Sequence, residues 1–131
     1  MTDHASATFK VEGWNEEKTV EGDRGAISLA KVEQSLSGGI EGSGLAQWLM
    51  CYREDKTADF VGFQRIVGRI GERSGSFVFE STGAFDGKEA AGPITIVQGS
   101  GTGDLAGITG SGTFSAPMGG EPSVSLDYDL E

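Results

Sequence analysis

Apolar and polar residues alternate along most of this chain with a period of two, the spacing of a strand that buries one face. From Thr8 to Trp14, Phe9, Val11 and Gly13 fall on one side and Lys10 and Glu12 on the other. Asn15 to Arg24 is charged and reads as a loop. Ala26 to Ser37 is a second strand, with Val32 and Leu36 on one side and Ile27 and Leu29 on the other. That change of face predicts a bulge or bend within it. Leu45–Arg53, Asp59–Ile70 and Ser74–Thr82 are three further strands, and Phe85 ends the last of these or begins the next. Lys88 to Gly92 is a turn region, and Pro93–Gln98 carries Ile94 and Ile96 on one face. Thr113–Ala116 is short, and Ser123–Leu130 sets Val124, Leu126, Tyr128 and Leu130 against Ser125, Asp127 and Asp129. No segment has a helical period. The pattern predicts an all-β fold, a closed antiparallel β-barrel of about eight strands. It forms a single domain over residues 1–131, with 1–6 as a flexible leader.

Register follows if the Asp55-Lys56 and Glu72-Arg73 pairs are short hairpin loops. Cys51 then lies opposite Phe60, Leu49 opposite Gly62, Gln47 opposite Gln64 and Leu45 opposite Ile66. On the next strand Phe79 faces Ile66, Phe77 faces Gly68 and Ser81 faces Gln64. All of these share one surface of the sheet. The opposite surface carries Trp48, Met50, Tyr52, Val61, Phe63, Val67 and Val78, with Arg65 opposite Glu80. Both surfaces are too apolar to lie fully in water, since a half-solvated antiparallel sheet shows one polar face. One therefore lines the core and the other is covered.

Phe9, Val11, Val124, Leu126 and Tyr128 point inward, because their alternates are charged or small and polar. An interior to match is the aliphatic and phenylalanine-rich surface. It holds Gln47, Gln64 and Ser81 as an uncharged polar row with Cys51, Phe60 and Phe79 nearby. Those residues are the candidate ligand-binding set. Their amides must satisfy each other or meet a ligand. Trp48, Tyr52 and Phe63 then form the contact surface of a homo-oligomer, since aromatic residues and Arg are enriched in interface cores. The reverse assignment stays open. It would bury an Arg65–Glu80 pair beside Trp48 and Phe63 and make those residues the pocket.

Composition narrows the chemistry. The 131 residues carry a net charge of −10, which disfavours nucleic acid and anionic membranes as partners. No apolar run approaches the roughly 20 residues of a membrane span, and the N-terminus does not read as a secretory signal. Cys51 is the single cysteine, so no internal disulfide is expected and a cytoplasmic location follows. His4 is the single histidine and lies in the leader, a poor place for a Ser-His-Asp or Cys-His device. Without His/Cys clusters no zinc site is expected, and no cofactor is implied. Cys51 reads as a small hydrophobe, and Glu16, Glu17, Glu21 and Asp23 read as a solvated charge cluster. The Gly99–Gly112 stretch lacks the P-loop ending and the Rossmann spacing. It reads as tight turns in which Leu105 or Ile108 plugs one end of the barrel.

Tyr52-Arg53-Glu54-Asp55-Lys56-Thr57-Ala58-Asp59-Phe60-Val61-Gly62 resembles a hairpin of a small bacterial family of unknown function, as do Arg73–Phe79 and the Gly99–Gly112 loop. The resemblance covers Ala7 to about Phe114. The loop also resembles the Gly-Thr-Gly-x-x-x-Gly turn of plant allene oxide cyclases and dirigent proteins. The resemblance implies an eight-stranded barrel of the allene oxide cyclase type. Such relatives work without cofactor, folding an apolar substrate inside the barrel. The carboxylate and amide those cyclases use match no position here. Members of the bacterial family often have Glu-Arg where this chain has Gln64-Arg65, and Gln-His where it has Glu80-Ser81. Three functions remain: a barrel that binds a small apolar molecule, a cofactor-independent cyclase or isomerase, and a filled, homo-oligomeric structural module.

Overall fold

A computed structural model describes residues 2–22 and 25–130. Nine strands follow in chain order: β1 Asp3–Gly22, β2 Gly25–Gly38, β3 Ile40–Arg53, β4 Ala58–Ile70, β5 Arg73–Phe85, β6 Glu89–Ile96, β7 Thr102–Gly103, β8 Thr109–Pro117 and β9 Ser123–Asp129. Each pairs antiparallel with its neighbours, and β1 pairs with both β2 and β9. The ring runs β1-β2-β3-β4-β5-β6-β8-β9 and returns to β1, a closed barrel. β7 lies outside this ring, two residues in the glycine-rich loop that bind the end of β5. Closure leaves the eight principal strands without a long free edge. None of the described residues forms a helix long and apolar enough to cross a membrane.

The chain start is strand. Asp3–Ser6 pair with Tyr128–Ser125, and Ala5 is buried beside Leu126, so 3–6 are not a flexible leader. The charged segment after Trp14 is also strand as far as Gly22, paired with β2. Asp23 and Arg24 lie outside the described residues. The expected bulge in the second strand falls instead in β1, where the register shifts between Val11 and Gly13 and again between Lys18 and Val20. β2 keeps one phase, with Ser28, Ala30, Val32, Gln34 and Leu36 buried in alternation. The first bulge changes the inward phase of β1 from Ala5, Ala7 and Phe9 to Trp14 and Glu16. Val11, beside it, keeps the inward register opposite the buried Gln34 but is 42% exposed.

The β3–β4 hairpin corrects the expected register. Arg53 N–H donates to Thr57 O at 2.8 Å and Lys56 N–H to Arg53 O at 3.1 Å, so the loop is Glu54-Asp55-Lys56. Lys56 takes the left-handed φ of 72° that such a loop requires. Asp55 Oδ1 accepts from Thr57 N–H at 3.0 Å and from Thr57 Oγ1 at 2.6 Å, which pins the turn. Tyr52 therefore pairs with Ala58 and Met50 with Phe60, one position away from the expected Cys51–Phe60 pair. A slip of one position turns every side chain of a strand to its other face. In β4–β5 the loop is Gly71-Glu72, and Gln64 pairs with Phe79. That shift is by two positions, so the expected face survives there.

The interior consequently mixes the two expected surfaces. β3 sends in Ala46, Trp48, Met50 and Tyr52, while β4 and β5 send in Phe60, Gln64, Ile66, Phe77, Phe79 and Ser81. Two apolar clusters fill it. One, around Ile40, Ile66, Phe77 and Leu126, includes Leu105 and Ile108 of the glycine-rich loop, both almost wholly buried. Those two close that end, as expected. The other comprises Ala30, Val32, Ala46, Met50, Ala58 and Phe60, with Trp48, Tyr52 and Phe114 packed on it.

Candidate functional site

A polar belt sits within the apolar barrel. Gln64 Nε2 donates to Gln34 Oε1, and the buried Ser81 lines the same cavity. Phe9, Leu36, Trp48, Phe79, Ile94, Phe114 and Val124 complete the walls. The cavity measures about 20 Å³, room for no more than a water-sized molecule. The buried Trp48 Nε1 has no hydrogen-bond partner.

The structure divides the expected ligand-binding set. Gln64, Ser81, Phe60 and Phe79 face inward. Gln47 and Cys51 do not, because the Glu54-Asp55-Lys56 loop turns them to the exposed outer face. Gln34, which the sequence did not single out, takes the place expected for Gln47. The alternative pocket is divided too: Trp48 is inside, whereas Phe63, Arg65 and Glu80 are exposed outside. Arg65 pairs in register with Val78, and Glu80 with Phe63. Of the expected contact surface Trp48, Tyr52 and Phe63, only Phe63 faces outward.

At the end of the barrel away from Leu105 and Ile108, β1, β2 and β3 bring together a second cluster. Tyr52 Oη donates to Glu16 Oε2 at 2.6 Å, Ser28 Oγ donates to the same oxygen, and Trp14 Nε1 donates to Glu16 Oε1 at 3.0 Å. The carboxylate of β1 thus reaches over β2 to β3. Trp14 packs on Trp48 with ring centroids 6.3 Å apart, Trp48 on Phe60 at 5.9 Å, and Phe60 on Phe114 at 5.8 Å. An aromatic file therefore runs from the exposed Trp14 into the barrel. Beside it opens a cleft of about 870 Å³, lined by Glu16, Ala26 and Tyr52, by the cationic Lys18, Arg53 and Lys56, and by Glu21, Gly22, Gly25 and Glu54.

Electrostatics set the protonation of this cluster. Burial pushes the Glu16 pKa up, but the hydrogen bonds from Ser28, Tyr52 and Trp14 outweigh it and hold the carboxyl below its usual value. Burial, then the hydrogen bond and charge of Glu16, push the Tyr52 phenol up to about 12. At neutral pH the pair is a phenol donating to a carboxylate. Lys18 Nζ lies 3.4 Å from Glu21, and Arg53 lies 2.5 Å from Asp59. No cation among the described residues pairs with Glu16.

His4 does have partners, contrary to its expected place in a frayed leader. Its Nδ1 lies 2.8 Å from Asp127 Oδ1 and its Nε2 3.4 Å from Ser125 Oγ. The order is that of a nucleophile, base and carboxylate. The trio lies on the solvated outer face of β1 and β9, which positions neither a substrate nor oxyanion donors. It serves as a cross-strand tie. Among the described residues no group of His, Cys, Asp and Glu could hold a metal ion. The glycine-rich loop spends its polar groups on β5: Thr102 Oγ1 accepts from Ser76 N–H at 3.1 Å, and Ser100 Oγ from Val78 N–H at 3.0 Å.

Fold and interior define a protein class: a small closed antiparallel barrel with a polar belt across its core and an aromatic mouth at one end. The model of the DUF3224 family, described as a protein of unknown function, matches residues 5–128, and the chain belongs to that family. It is similar to the crystal structure of a DUF3224 protein of unknown function from Shewanella oneidensis MR-1. The TM-score is 0.85 at 20% identity, over 100% of this chain and 99% of that one, a likeness of fold. Among curated proteins none matches the chain.

Proposed function

We propose that this protein binds a small organic cation, an amine or ammonium joined to a compact apolar body, in the cleft at the mouth of its barrel. The Glu16 carboxylate carries the reading. It is held ionised on the cleft wall without a cationic partner among the described residues, hydrogen-bonded to Tyr52 of the same wall and to Trp14, which lies outside that lining. Aromatic faces and a carboxylate together recognise ammonium groups. The cleft volume of about 870 Å³ suits a small ligand. The net charge of −10 draws cations toward the surface. The expectation of small-molecule binding is retained, but its place moves from the interior to the mouth. A ligand or cyclisation substrate inside the barrel has less support, because the cavity there is about 20 Å³.

Titration with 2-phenylethylamine, followed by tryptophan fluorescence and calorimetry, tests this, with 2-phenylethanol as the neutral counterpart. The amine is expected to bind at least roughly ten-fold more tightly than the alcohol, a difference of about 1.4 kcal/mol. Glu16→Gln should remove that preference while the native circular dichroism is kept. Equal binding of amine and alcohol, or no binding of the amine, refutes the proposal.

A further inference from the structure

The outer surface of β3 and β4 is apolar where a solvated barrel wall would be polar. Leu45, Leu49, Val61, Phe63 and Val67 are 60%, 49%, 46%, 54% and 53% exposed. They are contiguous, since Leu49 pairs with Val61, Leu45 with Arg65, and Ser43 with Val67. From Val61 to Val67 the patch runs roughly 20 Å along the strand, and three strand spacings from β2 to β5 give it a width of about 15 Å. The planar footprint is roughly 300 Å² before side-chain relief is counted, already in the range of the largest patch a monomer usually exposes.

We infer that this face joins two copies of the chain, sheet against sheet, about a two-fold axis. Charge complementarity identifies the partner. Arg53 and Arg69 each have a carboxylate within the chain, Asp59 at 2.5 Å and Glu41 at 2.7 Å. Arg65, between them along this face, has no ion pair among the described residues, and neither has Glu80. Glu80 is directly opposite Phe63, and Arg65 is two positions farther along β4. A two-fold axis in the plane of the sheet that bisects the line from Arg65 to Glu80 sets each Arg65 over the Glu80 of the other copy. Both ions are then paired twice by one operation, as an isologous interface requires. Between β2 and β5 this face carries Lys31 and Arg65 against Glu33 and Glu80, so it is locally neutral and two acidic chains meet where they repel least. The closed ring makes strand addition at an edge unavailable, which leaves face-to-face packing.

Sedimentation and light scattering of the full chain test the inference. A mass of twice 13.6 kDa is expected. Phe63→Asp should weaken the dimer roughly 30-fold or more, the effect of losing a central interface anchor. If that variant loses its native circular dichroism, Val67→Lys takes its place. Arg65→Glu alone should weaken association, and Arg65→Glu with Glu80→Arg should restore it, which a non-specific apolar contact would not do. A 13.6 kDa species at the highest soluble concentration overturns the inference. So does a dimer unaffected by Phe63→Asp and Val67→Lys, a charge reversal without rescue, or a monomer whose patch instead takes up phospholipid vesicles.

Discussion

Gln64 donates its side-chain amide to Gln34 across the intervening strand β3, passing over Gly44. A Cβ on Gly44 would lie 2.5 Å from Gln64 Nε2, so the absence of a side chain there makes room for the bridge. The bridge gives the buried Gln34 oxygen a donor from the half-buried Gln64, as a buried polar atom requires.

Gln64→Leu leaves the Gln34 oxygen without this donor and is expected to cost about 1–3 kcal/mol. The double substitution Gln34→Leu with Gln64→Leu removes both polar groups and should recover most of that loss. Urea denaturation of the two single variants and the double variant measures the coupling. Additive losses would show that the bridge contributes nothing.

Trp48 and Gly62 are paired across β3 and β4, and the indole occupies the space a side chain at 62 would take. A Cβ there would meet Trp48 Cδ1 at 2.1 Å and the Gln47 carbonyl oxygen at 2.2 Å. Since backbone cannot yield as a side-chain tip does, Gly62→Ala should cost about 1–3 kcal/mol or more. The checks are a lower denaturation midpoint and altered tryptophan fluorescence. An unchanged midpoint would remove the close packing of Trp48 from the account.

The Tyr52 phenol should ionise late, with a midpoint of about 12 against an ordinary 10.0. A raised folded value stabilises the protein fully below the ordinary value, and that contribution is lost as pH rises from 10.0 to about 12. Tyrosinate absorbance should show the late step in the native chain, and Tyr52→Phe should abolish it. Absence of a step near 12 in the native chain would contradict the bond to Glu16.

Glu16 works at the opposite limb. Its folded pKa is depressed below 4.5, so its stabilising contribution is complete above that value and is lost as pH falls through the lower folded value. Glu16→Gln should flatten the stability profile on the acid side and, by removing the charge beside Tyr52, also lessen the loss on the alkaline side. Thermal unfolding across the acid range checks this, and a parallel profile would refute it.

Much of the wall was legible from alternation. Val124 and Leu126 have polar alternates and could only point inward, and Leu105 and Ile108 are apolar residues within a glycine-rich loop that had to be covered. β3 was not legible, because Leu45 and Leu49 on one face and Ala46, Trp48 and Met50 on the other are all apolar. Binary pattern has no preference there. The tie is broken by Lys56, which accepts a left-handed φ of 72° and lengthens the turn by one residue. Gln47 and Cys51 were assigned inward for want of that residue's conformation.

The mouth cluster was hidden for a different reason. Ser28 is 12 and Tyr52 36 residues from Glu16, and a charged run reads as solvated. Only the bulge after Val11 turns Glu16 inward, and the charged run that follows it has no apolar alternation to show the change of phase. The sequence by itself determined an all-β chain, its principal turns and the terminal strands that bury one face, because strand alternation is local and its period is that of the backbone. Tertiary structure decided which face of β3 is inside, that Gln34 bridges to Gln64, and that Glu16 meets Tyr52. Those facts depend on register, and register is settled when strands close on one another.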